Sequence, residues 1–259
     1  KLLARVIVNR MWQHHMGRGL VATPSDFGTR GEKPTHPELL DFLADQLIAN
    51  GWKLKPIHKM IVLSATYQQS SKFDDTKAKL DKDNQLWWRH PVTRLEAETI
   101  RDSLLSVSRT LDRKMFGPGT LDESSRRRSI YFTMKRSRLI PSLIIFDAPD
   151  GTVGVGDRAT TTIAPQALHL LNSPQVRGYA QGLAKKITLQ ITSLADAVNR
   201  GYWNTFNRRP TTEELNDGIA FLTEQEKSYT SRKLPNAREL AIVDFCHVLL
   251  CLNEFVYVE

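Results

Sequence analysis

The sequence predicts a mainly α-helical fold of orthogonally packed and bundled helices, with a small β element near residues 129–135 and two long ordered loops. Three observations carry that expectation. Apolar residues recur at spacings of three and four through most of the chain, which puts them on one face of a helix. Helix start and stop signals (Pro near a first turn, Thr-x-x-Glu, Asn-Gly) fall at the edges of those periodic runs. Ser129–Lys135 alone alternates with period two, as a half-buried strand does.

The first helix is expected over Leu2–His15, with Leu3, Ile7 and Met11 on one stripe. Gly17 and Gly19 break it, and the Gly/Pro-rich stretch 17–34 reads as a long ordered loop. Thr35-His36-Pro37-Glu38 has the spacing of a capping box, and Leu39, Leu40, Leu43 and Leu47 form the apolar face that follows. Asn50-Gly51 closes that helix, since glycine accepts the left-handed cap conformation. Pro56 opens another, with Ile57, Met60 and Ile61 inward. Residues 70–91 read as a polar connector with a short helix. Arg94–Asp112 repeats Ile100, Leu104, Val107 and Leu111 at helical spacing.

Residues 113–128 form a Gly/Pro/Arg-rich loop, followed by the alternating strand Ser129–Lys135. A short apolar helical turn follows Pro141, and residues 147–164 make a second long loop. Pro165 starts a helix to Leu171, and Pro174 starts the next, marked by Val176, Tyr179, Leu183 and Ile187. Further helices are expected over Leu194–Phe206, from Thr211 with Glu214 as its capping-box partner, and over Arg238–Leu252. The last is apolar on most sides, which makes it central to an antiparallel bundle formed by the last four helices. The organisation expected is a helical subdomain with long loops over 1–164 and a helical bundle over 165–259, packed on it or continuous with it.

A chain of 259 residues with 41% hydrophobic and 25% charged residues can bury a core without disulfides or metal. Cys246 and Cys251, five apart on one helix, diverge and are not expected to pair. No run of about 18 apolar residues exists, so no transmembrane segment is expected. The net charge of +8 suits anionic partners without choosing among them.

Two polar clusters are candidate sites. In the first, Arg10, His14 and His15 end the first helix and Asp26 lies in the loop beyond. Imidazoles at a helix C-terminus are favoured in the protonated form and could move protons, although neighbours at i and i+1 diverge and form no two-ligand site. The second is the loop holding Asp147, Asp150, Asp157 and Arg158. Its carboxylates could serve as acid and base, while Asp and Gly together equally make turns. Gly151, Gly154 and Gly156 resemble a phosphate cradle but fit neither a dinucleotide nor a Walker pattern. Thr160–Thr162 precede a helix start, where Thr162 could cap it. Arg126–Arg128 and Lys135–Arg138 bracket Tyr131 and Phe132, a pattern that can grip single strands but also shields an edge. Arg94, Glu96, Glu98, Arg101 and Asp102 read as a salt-bridge network, and Trp87-Trp88 as packing. No metal or cofactor motif is present, and Cys246-His247 lacks the rest of a haem attachment site.

Four stretches together resemble a known family: NRMWQHHMGRGLVATPSDFGTRGEKPTHPELLDFLA (9–44), RLEAETIRD (94–102), FDAPDG with TTTIAPQALHLLNSP (146–151 and 160–174), and NEFVYVE (253–259). They are similar to the planctomycete-specific C-terminal domain of unknown function found in large cytochrome-c-associated proteins. Met16 stands where a phenylalanine is usual, and Gly154 where many relatives place a cysteine. The resemblance implies an upstream cytochrome-c-like domain carrying the haem c, a second planctomycete domain, and export to the periplasm or cell envelope. It supplies no activity.

Three functional readings follow. The first is an accessory domain that binds upstream domains of its own polypeptide or an acidic glycan. The second is a hydrolase-like or redox-linked enzyme with a site between loops 16–36 and 147–164, lined by Arg10, His14, His15, Asp26, Asp147, Asp150 and Arg158. The third is a nucleic-acid-binding module, which requires a continuous basic stripe and is disfavoured by scattered cations.

Overall fold

The protein is described by a computed structural model covering residues 1–152, 154, 156–189 and 191–258. The fold is mainly α-helical, and the chain divides into two compact units, one of residues 1–93 with 154–157 and one of residues 94–153 with 158–258.

The first unit holds α1 (Leu2–Met16), α2 (Pro37–Ala49), α3 (Leu54–Val62) and α4 (Asp75–Leu80). Its core gathers Val8, Met11, Trp12, Leu43, Leu47 and Ile57. The stripe of α1 is rotated from the expected one: Ala4, Val8 and Met11 are buried, while Leu3 is 63% exposed. Asn9 explains part of the rotation. Its buried amide donates to the Val21 carbonyl (3.0 Å) and accepts from the Val21 N–H (2.8 Å), tying the following loop to the helix. A helix face bearing Asn9 inward cannot also turn Leu3 inward. Gly17 takes the left-handed C-cap at φ 75°.

Thr35 does not cap α2. The N-cap is His36, without a side-chain bond, and both the Thr35 N–H and hydroxyl donate to Leu20 instead. The loop 17–34 therefore has its ends fastened to the helices it joins. Leu40, Leu43 and Leu47 are buried as their spacing requires, and so are Ile57 and Ile61 of α3.

The second unit holds α5 (Ala97–Val107), α6 (Pro141–Ile144), α7 (Ala164–Asn172), α8 (Pro174–Thr188), α9 (Leu194–Phe206), α10 (Thr212–Ser231), α11 (Ala237–Cys251) and α12 (Asn253–Val256). The only sheet among the described residues pairs β1 (Thr93–Arg94) with β2 (Tyr257–Val258). Alpha11 sits among α8, α9 and α10 and buries Ile242, Phe245, Cys246, Leu249 and Leu250. Close crossings are made at glycines. A Cβ on Gly201 of α9 would lie 2.7 Å from the Phe245 ring, and one on Gly218 of α10 would lie 2.8 Å from Val198. Thr211 caps α10 as predicted, accepting from the Glu214 N–H while Glu214 accepts from the Thr211 N–H.

The alternating segment Ser129–Lys135 forms no strand. Ser129–Tyr131 is a 3₁₀ turn, Ile130 is 72% exposed, and a single bridge links Thr120 to Phe132. The cause lies on α5. Asp102 accepts from both the N–H and hydroxyl of Ser129, at 2.7 and 2.8 Å. Buried Arg101 donates to the Arg127 carbonyl (2.9 Å), the Ser125 carbonyl and the Ser129 hydroxyl, and lies over the Phe132 ring. Backbone groups that a strand would need are taken by side chains of a helix.

Leu222 is fully buried on α10 and Leu189 is exposed after α8. Leu222→Ala is expected to cost about 2–5 kcal/mol in denaturant unfolding. Leu189→Ala should stay within about 0.5 kcal/mol. Equal effects would contradict the placement of α10.

Candidate functional site

In the first unit, His15 is the one predicted site residue that joins a cluster. It ends α1, half-buried, and its Nε2 lies 2.7 Å from Nδ1 of His58 on α3. Tyr67 stands edge-on to His15 (5.7 Å between ring centroids) and to His90 (5.1 Å). His90 is buried, its Nδ1 3.0 Å from the Pro91 carbonyl and its Nε2 without a partner. A nitrogen-to-nitrogen bond needs one N–H and one lone pair, so at least one ring of the His15–His58 pair is neutral. Burial, and then the neighbouring His58 and His14, lower the His15 pKa. This opposes the protonated form that the helix terminus alone would favour.

The other candidates of this unit stand apart. Arg10 and His14 are exposed, and Asp26 accepts from the Gly28 N–H as a turn residue. No hydrogen bond or ion pair among the described residues joins Arg10, His14, His15 and Asp26 to one another. Within the same unit, Asp157 accepts from Gln13 (2.8 Å), and Gly156 packs so tightly on Ser25 that a Cβ would lie 1.9 Å from its hydroxyl. Val153 and Val155, inside the second predicted loop, lie outside the described residues.

In the second unit, Asp147 is a structural anchor. It receives Arg94 at 2.6 Å and both the N–H and hydroxyl of Thr161, at 2.8 Å each. Arg94, its side chain 3% exposed, also lies over the Phe146 ring. The expected Arg94–Glu98 pair is not made, because Asp147 takes Arg94 and Arg158 takes Glu98 (2.9 Å) and Glu96 (3.1 Å). Asp150 accepts from the Thr152 N–H and hydroxyl, which holds its pKa below the usual carboxylate value. Thr162 does not cap α7. Ile163 is the N-cap and its N–H donates to Gln166.

In the basic segment around residue 131, an arginine lies over each of the two aromatic rings. The Arg127 guanidinium covers the Tyr131 ring at 3.6 Å and is itself fixed by the Pro118 and Phe116 carbonyls. Trp87 packs edge-on against Trp12 in the first core. Cys246 is buried and unpaired, and burial pushes the Cys251 thiol up to about 11, so neither is a ready nucleophile.

A polar depression in the structure was not foreseen from the sequence. It has a volume of about 540 Å³ and lies in the second unit, lined by Arg109, Arg113, Lys186, Trp203 and Asn204. Gly182 makes it: a Cβ there would lie 2.7 Å from the Ser108 carbonyl, so α8 presses against the end of α5. One turn along α8, Lys186 then comes beside Arg109. Burial and then Arg109 lower the Lys186 pKa, and its ammonium donates to the Asn204 carbonyl oxygen. No carboxylate among the described residues forms an ion pair with Arg109, Arg113 or Lys186. Trp203 is 56% exposed at the same place. The only sequence trace is the pair of arginines four apart, with Lys185-Lys186 at a helix end.

Among the described residues, no group of three or more His, Cys, Asp or Glu side chains is placed to hold a metal ion. No helix among them is long and apolar enough to cross a membrane. The chain belongs to the PSD1 family, a protein of unknown function (DUF1553), whose match spans residues 1–222. Neither a curated protein nor a solved structure matches it.

Two outcomes test these placements. Asp147→Ala strands a buried guanidinium and is expected to cost about 3–5 kcal/mol. Asp150→Ala, an exposed turn change, should cost about 1 kcal/mol or less. A depressed His15 pKa means the unfolded chain takes up the proton first as pH falls. The stability it contributes is full above pH 6.5 and declines below it, toward the lowered folded value. By NMR, His15 should titrate below 6.5, and His58→Phe should move it back up. A normal His15 titration in the wild type would contradict the pair.

Proposed function

We propose that this chain is an accessory binding domain of a larger exported, haem-linked polypeptide, and that its ligand is an anion held in the cationic depression of the second unit. The observation that carries the reading is the set of three cations around one depression that form no ion pair with a carboxylate among the described residues. Like charges held together repel, and the lowered Lys186 pKa reflects that repulsion after burial. An anion would relieve it and form charge-assisted hydrogen bonds, which are the strong ones.

The volume falls within the roughly 300–1,000 Å³ usual for small-ligand sites. The enzyme reading gains no support from either unit taken by itself. Asp147 is filled by Arg94 and Thr161, Asp150 by Thr152, and Arg158 by two glutamates. Nucleic-acid binding loses its best aromatic, Tyr131, to Arg127. Export and attachment to a cytochrome-c-like domain rest on the sequence resemblance over 9–44, 94–102, 146–151, 160–174 and 253–259.

Sodium sulfate titrated calorimetrically into the full chain at low ionic strength is the direct test. Saturable binding is expected, weakened by added NaCl. Arg113→Ala and Lys186→Met should each lower affinity by about tenfold or more, at about 1.5–3 kcal/mol per charged hydrogen bond. Absence of saturable binding, or wild-type affinity in both variants, would refute the reading.

A further inference from the structure

We infer that the anion in this depression belongs to an acidic oligosaccharide, whose charged group meets Arg109, Arg113 and Lys186, whose ring lies on Trp203, and whose next ring reaches Thr205. The inference rests on the anion-binding reading and extends it from an ion to a chain of sugars.

Three observations lead from ion to saccharide. The first is Trp203. A large aromatic, more than half exposed, stands beside three cations in a polar depression. An indole combines a broad apolar face with an N–H at its edge. A sugar ring matches both, because its C–H face packs on the indole while its hydroxyls and acid group turn outward to polar partners.

The second is continuity. A second depression of about 300 Å³ adjoins the first at Ser106 and Val107, which line both, and an extended ligand would follow the two as one run. Trp203 lines the first and Thr205 the second, two residues apart near the end of α9. A single ion has no use for the second space.

The third is Thr205 itself. Its hydroxyl is buried and has no hydrogen-bond partner among the described residues. A hydroxyl offers one donor and two acceptor sites, and leaving them unmet is unfavourable. Another hydroxyl is the simplest group that can give and accept there. Phe206, in the same depression, supplies an apolar surface for a ring.

Charge selects against the competing polyanions. Glu254 lines the second depression, bound to Arg208 at 2.6 Å. A polynucleotide or polyphosphate would bring a second phosphate toward that carboxylate. An uncharged, hydroxyl-bearing ring meets no such repulsion. A ligand with acid at one end and neutral hydroxyls at the next step fits the sequence of groups along the run.

The test compares sodium sulfate, galacturonic acid, and oligosaccharides of two and three rings that alternate uronate with a neutral sugar, each titrated into the full chain. Affinity is expected to rise from sulfate to the monosaccharide and by about tenfold more at two rings. Trp203→Ala should weaken the saccharides by about tenfold and leave sulfate unchanged. Thr205→Val should weaken the two- and three-ring ligands and leave the monosaccharide unchanged, with melting temperature equal to or above wild type because an unmet hydroxyl is gone. If sulfate binds but the saccharides bind no better, or Trp203→Ala changes neither, the saccharide inference falls and the anion site stands. If sulfate does not bind, the earlier reading falls as well. Tighter binding to vesicles of phosphatidylserine or to single-stranded DNA than to any saccharide would also overturn the inference.

Discussion

A helix with a wide apolar face must be covered by more than one neighbour. Alpha11 carries Ala241, Ile242, Phe245, Cys246, Leu249 and Leu250, all buried, over about half its circumference. Removing that surface from water requires helices on several sides, and α8, α9 and α10 supply them. Gly201 and Gly218 let backbones approach the Phe245 ring closely, so the packing is set by small residues as much as by large ones. Once α11 is enclosed, the ends of α8 and α9 are fixed in space. Gly182 then brings the end of α5 against α8. The cationic depression is a consequence of these crossings.

Charge in the second unit is used in two opposite ways. Arg94 and Arg101 are buried and surrounded by acceptors: Asp147 and the Phe146 carbonyl for one, the Ser125 and Arg127 carbonyls for the other. Arg208 is clamped between Glu214 and Glu254, which holds the Glu214 pKa down to about 2 and the guanidinium far above its ordinary value. These ions pin loops and helix ends. Removing an acceptor from buried Arg94 or Arg101 strands a guanidinium, whereas the more exposed Arg208 clamp is screened by water and contributes less. Among the described residues, Arg109, Arg113 and Lys186 form no such ion pair.

The first unit shows the same economy with neutral groups. Asn9 makes two bonds to Val21 and ties a Gly-rich loop down without any charge. The His15–His58 contact works only while one ring is neutral, and burial favours that state. Protonation and the packing of α1 on α3 are therefore linked within this unit.

The sequence by itself determined most helix positions. Leu194–Phe206 coincides with α9, and Thr211 caps α10 through Glu214, because periodicity and capping depend on residues three or four apart. It also placed α11 in a core, since large apolar surfaces must leave water wherever they end up. Only the tertiary structure decided the fate of polar groups. Thr35 and Thr162 had local reasons to cap helices, yet each found a partner distant in sequence. Ser129–Lys135 alternated like a strand, but Asp102 and Arg101 took its hydrogen bonds first. His58, Lys186 and Trp203 carry no motif, and they join sites only because helices far apart in the chain cross there. Hydrophobic burial is non-directional and so can be read from pattern, whereas a hydrogen bond or ion pair needs one partner at one distance, and folding chooses which.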